Sequence, residues 1–133
     1  MTKKLNLEEK EWRKRLNPKV FHILREKGTE PPFTGEYVDY KKSGMYTCSG
    51  CKTALFSSES KFNSGTGWPS FFSAIEENIE TQTDSSLGMQ RTEVHCRICG
   101  GHLGHLFNDG PPPTGFRYCI NSLALEFVEK KEK

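Results

Sequence analysis

Two segments of this 133-residue sequence, Cys48-Ser49-Gly50-Cys51 and Cys96-Arg97-Ile98-Cys99, decide how the chain folds. In a Cys-x-x-Cys turn both sulfur atoms lie on one side of the backbone, so each segment directs two thiolates to one point. Four thiolates form a tetrahedral cage, and Zn²⁺ is its usual occupant. We therefore predict one structural zinc ion that clamps strands far apart in sequence.

The spacing leaves other uses of these cysteines open. Two disulfides would require an oxidising compartment, and a redox-active pair would require a βαβ unit that the sequence does not indicate. A mixed metal site could include His102 or His105, which follow Cys99 closely.

The composition indicates one globular domain over residues 1–133. The 34% hydrophobic residues, with 9 Phe and 4 Tyr, suffice for one modest core. A formal net charge of +2 provides no strong field for nucleic acid or anionic lipid. No apolar run reaches the roughly 20 residues that span a bilayer, and the N-terminus does not read as a secretory signal. We expect a cytoplasmic protein that needs to be no more than a monomer.

Two helices are expected in the first third of the chain. The first begins near Asn6, since Asn6 and Glu9 have the spacing of a capping box. The second has Asn17 as its N-cap and Pro18 in its first turn, and Gly28 is expected to end it in the left-handed conformation.

Short β-like segments follow, separated by Gly, Pro, Ser and Asn clusters. The predicted strands are residues 36–40, 44–48, 54–56, 89–96, 105–107 and 116–127. Many strands without alternating helices predict a mainly β fold of the α+β class, with antiparallel sheets or a small barrel-like core and the N-terminal helices packed on it. Residues from about 7 to 127 are expected to be ordered, and 128–133 to be a frayed charged tail.

The fifth cysteine, Cys119, lies outside both pairs. In a strand, the period of two places Arg117, Cys119 and Asn121 on one face. A guanidinium beside the sulfur stabilises the thiolate, which is the nucleophilic form. A single cysteine is also typical of a small packed side chain, so both roles stay open at this point.

Two further segments fit either packing or chemistry. His102 and His105 can exchange protons near pH 7, but a spacing of three requires a turn at Gly104 if both rings face one site. Trp68 lies in a glycine-rich loop, where an indole fits the core or forms an apolar wall for a group such as an S-methyl.

Together these segments resemble the B-type family of methionine-R-sulfoxide reductases. The match runs from about Leu7 to Phe127 in that family's order. It comprises Gly28–Tyr37, the two Cys-x-x-Cys pairs, Gly67–Phe71, Gly101–Gly110 and Arg117–Ser122.

The resemblance implies a twisted antiparallel β fold with a distal structural zinc. It implies that the Cys119 thiolate attacks the sulfur of methionine-R-sulfoxide, free or in proteins, and becomes a sulfenic acid. The implied catalytic residues are Cys119, His102, His105 and Asn121, and the implied substrate-binding residues are Trp68, Arg117, Asp109 and Phe107.

One position departs from a common family pattern. Many members have a resolving cysteine directly before the Gly-Trp-Pro-Ser segment, where this chain has Thr66. We therefore expect an external reductant, either thioredoxin-like or a small thiol. Two other functions stay open: a zinc-ribbon binding module, in which Cys119 would be dispensable, and a thiol sensor without turnover.

Overall fold

A computed structural model describes residues 9–85 and 91–129. Within these ranges the fold is mainly β, which confirms the expected class, and no helix is long and apolar enough to cross a membrane. The helices are Glu9–Arg15 (α1) and Pro18–Arg25 (α2). The strands are Gly44–Cys48 (β1), Ala54–Ser57 (β2), Lys61–Phe62 (β3), Ser70–Phe71 (β4), Ile79–Asp84 (β5), Arg91–Cys96 (β6), His102–Phe107 (β7), Arg117–Ile120 (β8) and Leu125–Glu129 (β9).

These strands form two antiparallel sheets. The smaller sheet has the order β2-β1-β9, and the larger has the order β3-β4-β8-β7-β6-β5. Strands β8 and β7 therefore occupy the middle of the larger sheet. A side chain on either strand is flanked by neighbours from both sides, which is where a rigid site is easiest to build.

Aromatic side chains from both sheets form the core between them. Phe56 of β2 stacks on Phe71 of β4 with ring centroids 4.4 Å apart, and Tyr46 of β1 meets Phe71 edge-on at 5.1 Å. Phe56 also contacts Tyr118 of β8 at 5.6 Å. Burying such a side chain stabilises the fold by about 1.5–3 kcal/mol, so the aromatic contacts hold the two sheets face to face.

Helix α2 begins as expected and ends differently. Asn17 caps it, since its Oδ1 accepts the N–H of Lys19 at 2.8 Å. At the other end, Lys27 takes the left-handed conformation with φ 57°, and Gly28 donates its N–H to the carbonyl of His22 at 3.0 Å. A Cβ at Gly28 would overlap the exposed His22 ring, so a larger residue there would have to displace that ring. The predicted start of α1 near Asn6 lies outside the described residues.

Two predicted β segments and the predicted tail need correction. Residues 36–39 form a turn and not a strand; Tyr37 and Tyr40 both pack into one aromatic cluster, whereas alternating strand faces would separate them. The predicted strand 116–127 divides into β8 and β9, which belong to different sheets and are joined by a short 3₁₀ turn at Ser122–Ala124. The expected tail is wrong for Val128 and Glu129, which pair with β1.

The remaining differences concern strand limits. Strand β7 begins at His102 rather than His105, and β6 is described from Arg91, with residues 86–90 outside the described ranges. Strands β3, β4 and β5 were missed. In the polar edge strand β5, the pattern that could have predicted a strand is the alternation of Ile79, Thr81 and Thr83 with polar residues. Strands β3 and β4 have two residues each, which is too short for an alternating pattern to be recognised.

Candidate active site and metal centre

The four paired cysteines meet at one point between the two sheets. Cys48 and Cys51 lie at the β1–β2 turn, and Cys96 and Cys99 lie at the β6–β7 turn. The Sγ atoms of Cys48 and Cys99 are 3.6 Å apart, those of Cys51 and Cys96 are 3.5 Å apart, and all four lie within 4.8 Å of one another. No disulfide joins them.

This geometry fits a tetrahedral metal site. Zinc–sulfur bonds of about 2.3 Å place neighbouring sulfur atoms about 3.8 Å apart, close to the separations seen here. Hydrogen bonding with Cys51, together with burial, raises the pKa of the Cys48 thiol well above its ordinary value. Four thiolates therefore require a cation among them, and the set of four sulfur ligands favours Zn²⁺.

The N-terminal helices are tied to this centre. Arg25 at the end of α2 donates from Nη1 to the carbonyl of Cys99 at 2.7 Å, and its guanidinium lies 5.0 Å from the ring centre of Trp12 in α1. Trp12 is fully buried. The helices thus support the second cysteine turn, a contact that no local sequence pattern predicts.

Cys119 lies on β8, in the middle of the larger sheet. It pairs with Ser70 of β4 on one side and with His105 of β7 on the other, while Arg117 pairs with Phe107. Directly paired residues project to the same face of a sheet. Cys119, His105, Phe107 and Arg117 therefore share one face, and the Arg117 guanidinium covers the Phe107 ring at 4.3 Å.

The charge around Cys119 differs from the sequence-based expectation. Burial raises the pKa of its thiol above the ordinary value, although a contact with Thr66 Oγ1 at 3.9 Å and the charge of Arg117 act in the opposite direction. Asp109 pairs with Arg117 through two contacts of 2.8 and 3.1 Å. Burial, helped by the nearby Asp109 carboxylate, therefore disfavours the thiolate that the sequence led us to expect.

His102 and His105 come together without the predicted turn. Val94 of β6 pairs with Gly104, and the next residue, His95, pairs with His102. Leu103 is therefore an extra, unpaired residue of β7, which is a β-bulge. A bulge shifts the alternation of side chains by one residue, so positions three apart reach the same side. The two imidazole rings meet edge-on with centroids 5.6 Å apart.

The buried ring of His102 also has a partner that the sequence did not suggest. Its Nδ1 lies 2.6 Å from Oε2 of Glu93 on β6, and both side chains are almost fully buried. His102 is therefore not a fifth neighbour of the cysteine cluster. The mixed histidine–cysteine alternative has no support among the described residues.

Trp68 and Asn121 are joined through the loop that contains Glu30. The indole N–H of Trp68 donates to the backbone carbonyl of Glu30 at 2.9 Å. The backbone N–H of Glu30 donates to Asn121 Oδ1 at 3.0 Å, and Asn121 Nδ2 donates to the carbonyl of Leu103 at 3.0 Å. Both polar atoms of the Asn121 side chain are therefore bound to backbone.

Glu30 itself is a buried residue that sequence reasoning missed. Its Oε1 accepts the N–H of Leu123 at 2.9 Å, which attaches the loop before β1 to the turn after β8. An acidic residue just before Pro31-Pro32 reads as part of an exposed loop. Only the tertiary contact shows its role.

Comparison with known proteins gives a consistent picture. The SelR domain family model matches residues 16–129. A Teredinibacter turnerae protein named "Peptide methionine sulfoxide reductase MsrB" is 54% identical over 92% of this chain and 91% of its own length. A Leptospira interrogans protein of the same name is 51% identical over 98% of this chain and 100% of its own.

A solved structure shares the fold at low sequence identity. The "Yippee-like" domain of Mis18 superposes with a TM-score of 0.55 and 15% identity, and the match covers 68% of this chain and 100% of that one. At this identity the similarity concerns the fold alone.

Proposed function

The chain belongs to the SelR domain family, and we propose that it reduces methionine-R-sulfoxide to methionine with Cys119 as the nucleophile. One observation carries this proposal. Cys119 is the only cysteine outside the metal cluster, and it shares a sheet face with His105, Phe107 and Arg117. A thiol, a proton carrier and an apolar surface are the three elements that sulfoxide reduction needs.

The proposed reaction transfers one oxygen atom. The Cys119 sulfur attacks the sulfoxide sulfur and forms an S–S bond, while the sulfoxide oxygen takes up a proton. The oxygen then passes to the Cys119 sulfur as the S–S bond and the S–O bond to methionine break, which leaves methionine and a Cys119 sulfenic acid. The thiol proton balances the charge on that oxygen. Methionine sulfur gains two electrons and Cys119 sulfur loses two, so the step needs no other reactant.

Neighbouring residues have distinct proposed roles in this step. His105 and His102 donate and accept the proton near the sulfoxide oxygen, because an imidazole ring has one nitrogen that can donate and one that can accept. Arg117 stabilises negative charge on sulfur as the thiol ionises, and Asp109 limits that effect. Asn121 acts by holding the loops around the site, because its own polar atoms are engaged.

Selectivity for one epimer follows if one side of the site is apolar and the other side can hydrogen-bond to the sulfoxide oxygen. The R and S sulfoxides exchange the positions of the oxygen and a carbon substituent around sulfur. If Trp68 and Phe107 bind the methyl group while the histidines bind the oxygen, the wrong epimer directs its oxygen at an aromatic surface. Burying an unpaired polar atom there costs about 1–3 kcal/mol, which disfavours that epimer.

A zinc ion in the cysteine cluster is proposed to be structural. It would hold the β1–β2 and β6–β7 turns together, and all four ligands are cysteines that leave no open position for substrate.

Regeneration of Cys119 is proposed to use an external thiol. The other four cysteines belong to the metal cluster, and Thr66 stands beside the Cys119 sulfur. A first reductant thiol forms a mixed disulfide with Cys119 and releases water, and a second releases the Cys119 thiol. A thioredoxin-like protein or a small thiol could supply both. Free thiols and a thiolate cluster suit a reducing compartment such as the cytoplasm, and one chain contains all the site residues.

The test is reduction of the separate R and S epimers by wild type and Cys119→Ser, with bound zinc measured in both. We expect R-specific activity in wild type and its complete loss in Cys119→Ser at unchanged zinc content. Activity that survives in Cys119→Ser would contradict the assignment of the nucleophile. Wild type that contains zinc and reduces neither epimer would contradict the function itself.

A further inference from the structure

Glu93 is a buried carboxylate that the reaction as described does not use. Only 2% of the residue is exposed, on a strand next to the one that carries the two histidines. Three basic side chains surround it: His102 Nδ1 at 2.6 Å from Oε2, His95 Nε2 at 3.0 Å from Oε1 and Lys27 Nζ at 3.6 Å from Oε1.

The surroundings favour the ionised form of this carboxylate. Burial alone would raise its pKa, but the nearby His95 imidazole, with the charges of His102 and Lys27, lowers the pKa below its ordinary value. A buried ion pair is costly to desolvate and is often no more stable than an apolar packing of the same volume. The position of Glu93 therefore calls for a reason other than stability.

An ionised carboxylate can only accept a hydrogen bond. The 2.6 Å contact between Glu93 Oε2 and His102 Nδ1 therefore determines which ring nitrogen of His102 carries the proton. Nδ1 must be the protonated nitrogen, and Nε2 is then the one that can accept or, in the imidazolium, donate a further proton. The same contact sets the plane of the ring, whose edge-on neighbour is His105 at 5.6 Å. His105 in turn pairs directly with Cys119 across β7 and β8.

We propose that Glu93 is a positioning residue for the reduction, whose carboxylate fixes the tautomer and orientation of His102. This inference rests on the proposed function, because it assigns Glu93 a role through a histidine of that site. A carboxylate that orients an imidazole in this way is a recurrent device where the other ring nitrogen takes part in chemistry.

A second metal ion is the competing use of the same three side chains. Glu93, His95 and His102 present ligand atoms within 4.8 Å of one another. Two features argue against a cation. The 2.6 Å contact between Glu93 and His102 has the length of a charge-assisted hydrogen bond, and Lys27 already brings a positive charge to the same carboxylate.

The first test compares Glu93→Gln with Glu126→Gln. Both changes replace a carboxylate by an amide of the same shape, but Glu126 is exposed on β9, paired with Lys52, and belongs to the other sheet from the histidines. We expect Glu93→Gln to lower kcat for methionine-R-sulfoxide about 10- to 100-fold, with KM and zinc content nearly unchanged. Glu126→Gln should match wild type.

The imidazole nitrogen chemical shifts provide a readout that a purely structural role would not move. In wild type, His102 should show the Nδ1-protonated tautomer. In Glu93→Gln, the amide can donate to Nδ1, so the Nε2-protonated tautomer should appear. An unchanged His102 tautomer together with unchanged kcat would overturn the proposal, and a zinc content of two per chain in wild type would overturn it in favour of a metal site.

A double-variant comparison separates positioning from general destabilisation. If Glu93 acts through His102, Glu93→Gln should add almost nothing to the loss of activity in a His102→Asn background. Fully additive losses would contradict the inference. Absence of reductase activity in wild type would instead be a failure of the proposed function, and the tautomer comparison would still test the contact between Glu93 and His102.

Discussion

At the scale of single residues, the state of Cys119 is set by a balance between burial and two charges. Burial raises the pKa of the thiol, Arg117 lowers it, and Asp109 opposes Arg117. A raised pKa disfavours the thiolate, which is the form that reacts with oxidants. In the proposed reaction, the thiol proton would go to the sulfoxide oxygen.

Removing the carboxylate at position 109 should shift this balance. In Asp109→Asn, Arg117 loses its ion-pair partner and its full charge acts on the sulfur, so the pKa of Cys119 should fall. The rate of alkylation by iodoacetamide, which follows the thiolate fraction, should then reach half of its plateau at lower pH. Arg117→Met is the opposite control and should move that midpoint to higher pH. Identical midpoints in all three proteins would show that these charges do not govern the thiol.

Thr66 occupies the place where a second thiol would reach Cys119. Its Oγ1 lies 3.9 Å from the Cys119 sulfur. After one turnover without reductant, wild type should hold a sulfenic acid, and Thr66→Cys should hold a disulfide between positions 66 and 119. Mass spectrometry of the trapped proteins distinguishes them, because the disulfide has lost water. An internal disulfide in wild type would refute direct reduction by an external thiol.

At the scale of elements, the pairing of β7 with β8 places the histidines beside the thiol. The approach is close at Gly104, where a Cβ would collide with the backbone oxygen of Cys119. The bulge at Leu103 lies next to this contact. The φ of Gly104 is not positive, so its backbone conformation does not require glycine. Glycine is required because a side chain would not fit between the two strands.

Gly104→Ala should therefore separate the two strands. We expect the free energy of unfolding in urea to fall by about 3 kcal/mol, at the upper end of overpacking costs. Gly65→Ala is the control, because Gly65 lies in a loop outside the strand pairing and has no atom within 4 Å of the new Cβ, although its φ is 76°. That variant should lose only about 1 kcal/mol from backbone strain. Equal losses of unfolding free energy in Gly104→Ala and Gly65→Ala would contradict a close approach of β7 to β8.

At the scale of the whole molecule, the cysteine cluster links the two sheets. Cys48 and Cys51 belong to the smaller sheet's β1–β2 turn, while Cys96 and Cys99 belong to the larger sheet's β6–β7 turn. The aromatic core fills the space between the sheets. The proposed active-site residues lie on β7 and β8, and β7 begins directly after the β6–β7 turn that carries Cys96 and Cys99.

Removal of the metal should weaken the fold as a unit. A strong chelator should lower the free energy of unfolding by about 5 kcal/mol or more, because ligand-binding energy becomes folding energy in such sites. Cys119→Ser should respond to the chelator as wild type does, whereas Cys96→Ser should be destabilised before chelator is added. A urea midpoint that chelation leaves unchanged would contradict a structural metal.

The sequence by itself determined the features that depend on neighbours along the chain. The Cys-x-x-Cys spacing identified the cluster, Asn17 and Pro18 identified the start of α2, and the period of two put Arg117 and Cys119 on one face. Each of these depends on backbone geometry over a few residues, which local propensities and periods describe.

Only the tertiary structure decided the contacts that join distant residues. Glu30 and Asn121 are 91 positions apart, and Glu93 meets His102 across a bulge that shifts the side-chain alternation. Likewise, the segment after Cys119 turns into a second sheet because its backbone pairs with β1. Hydrogen bonds and burial of this kind depend on how the sheets pack, and no local pattern in a single sequence records which distant strand a residue will face.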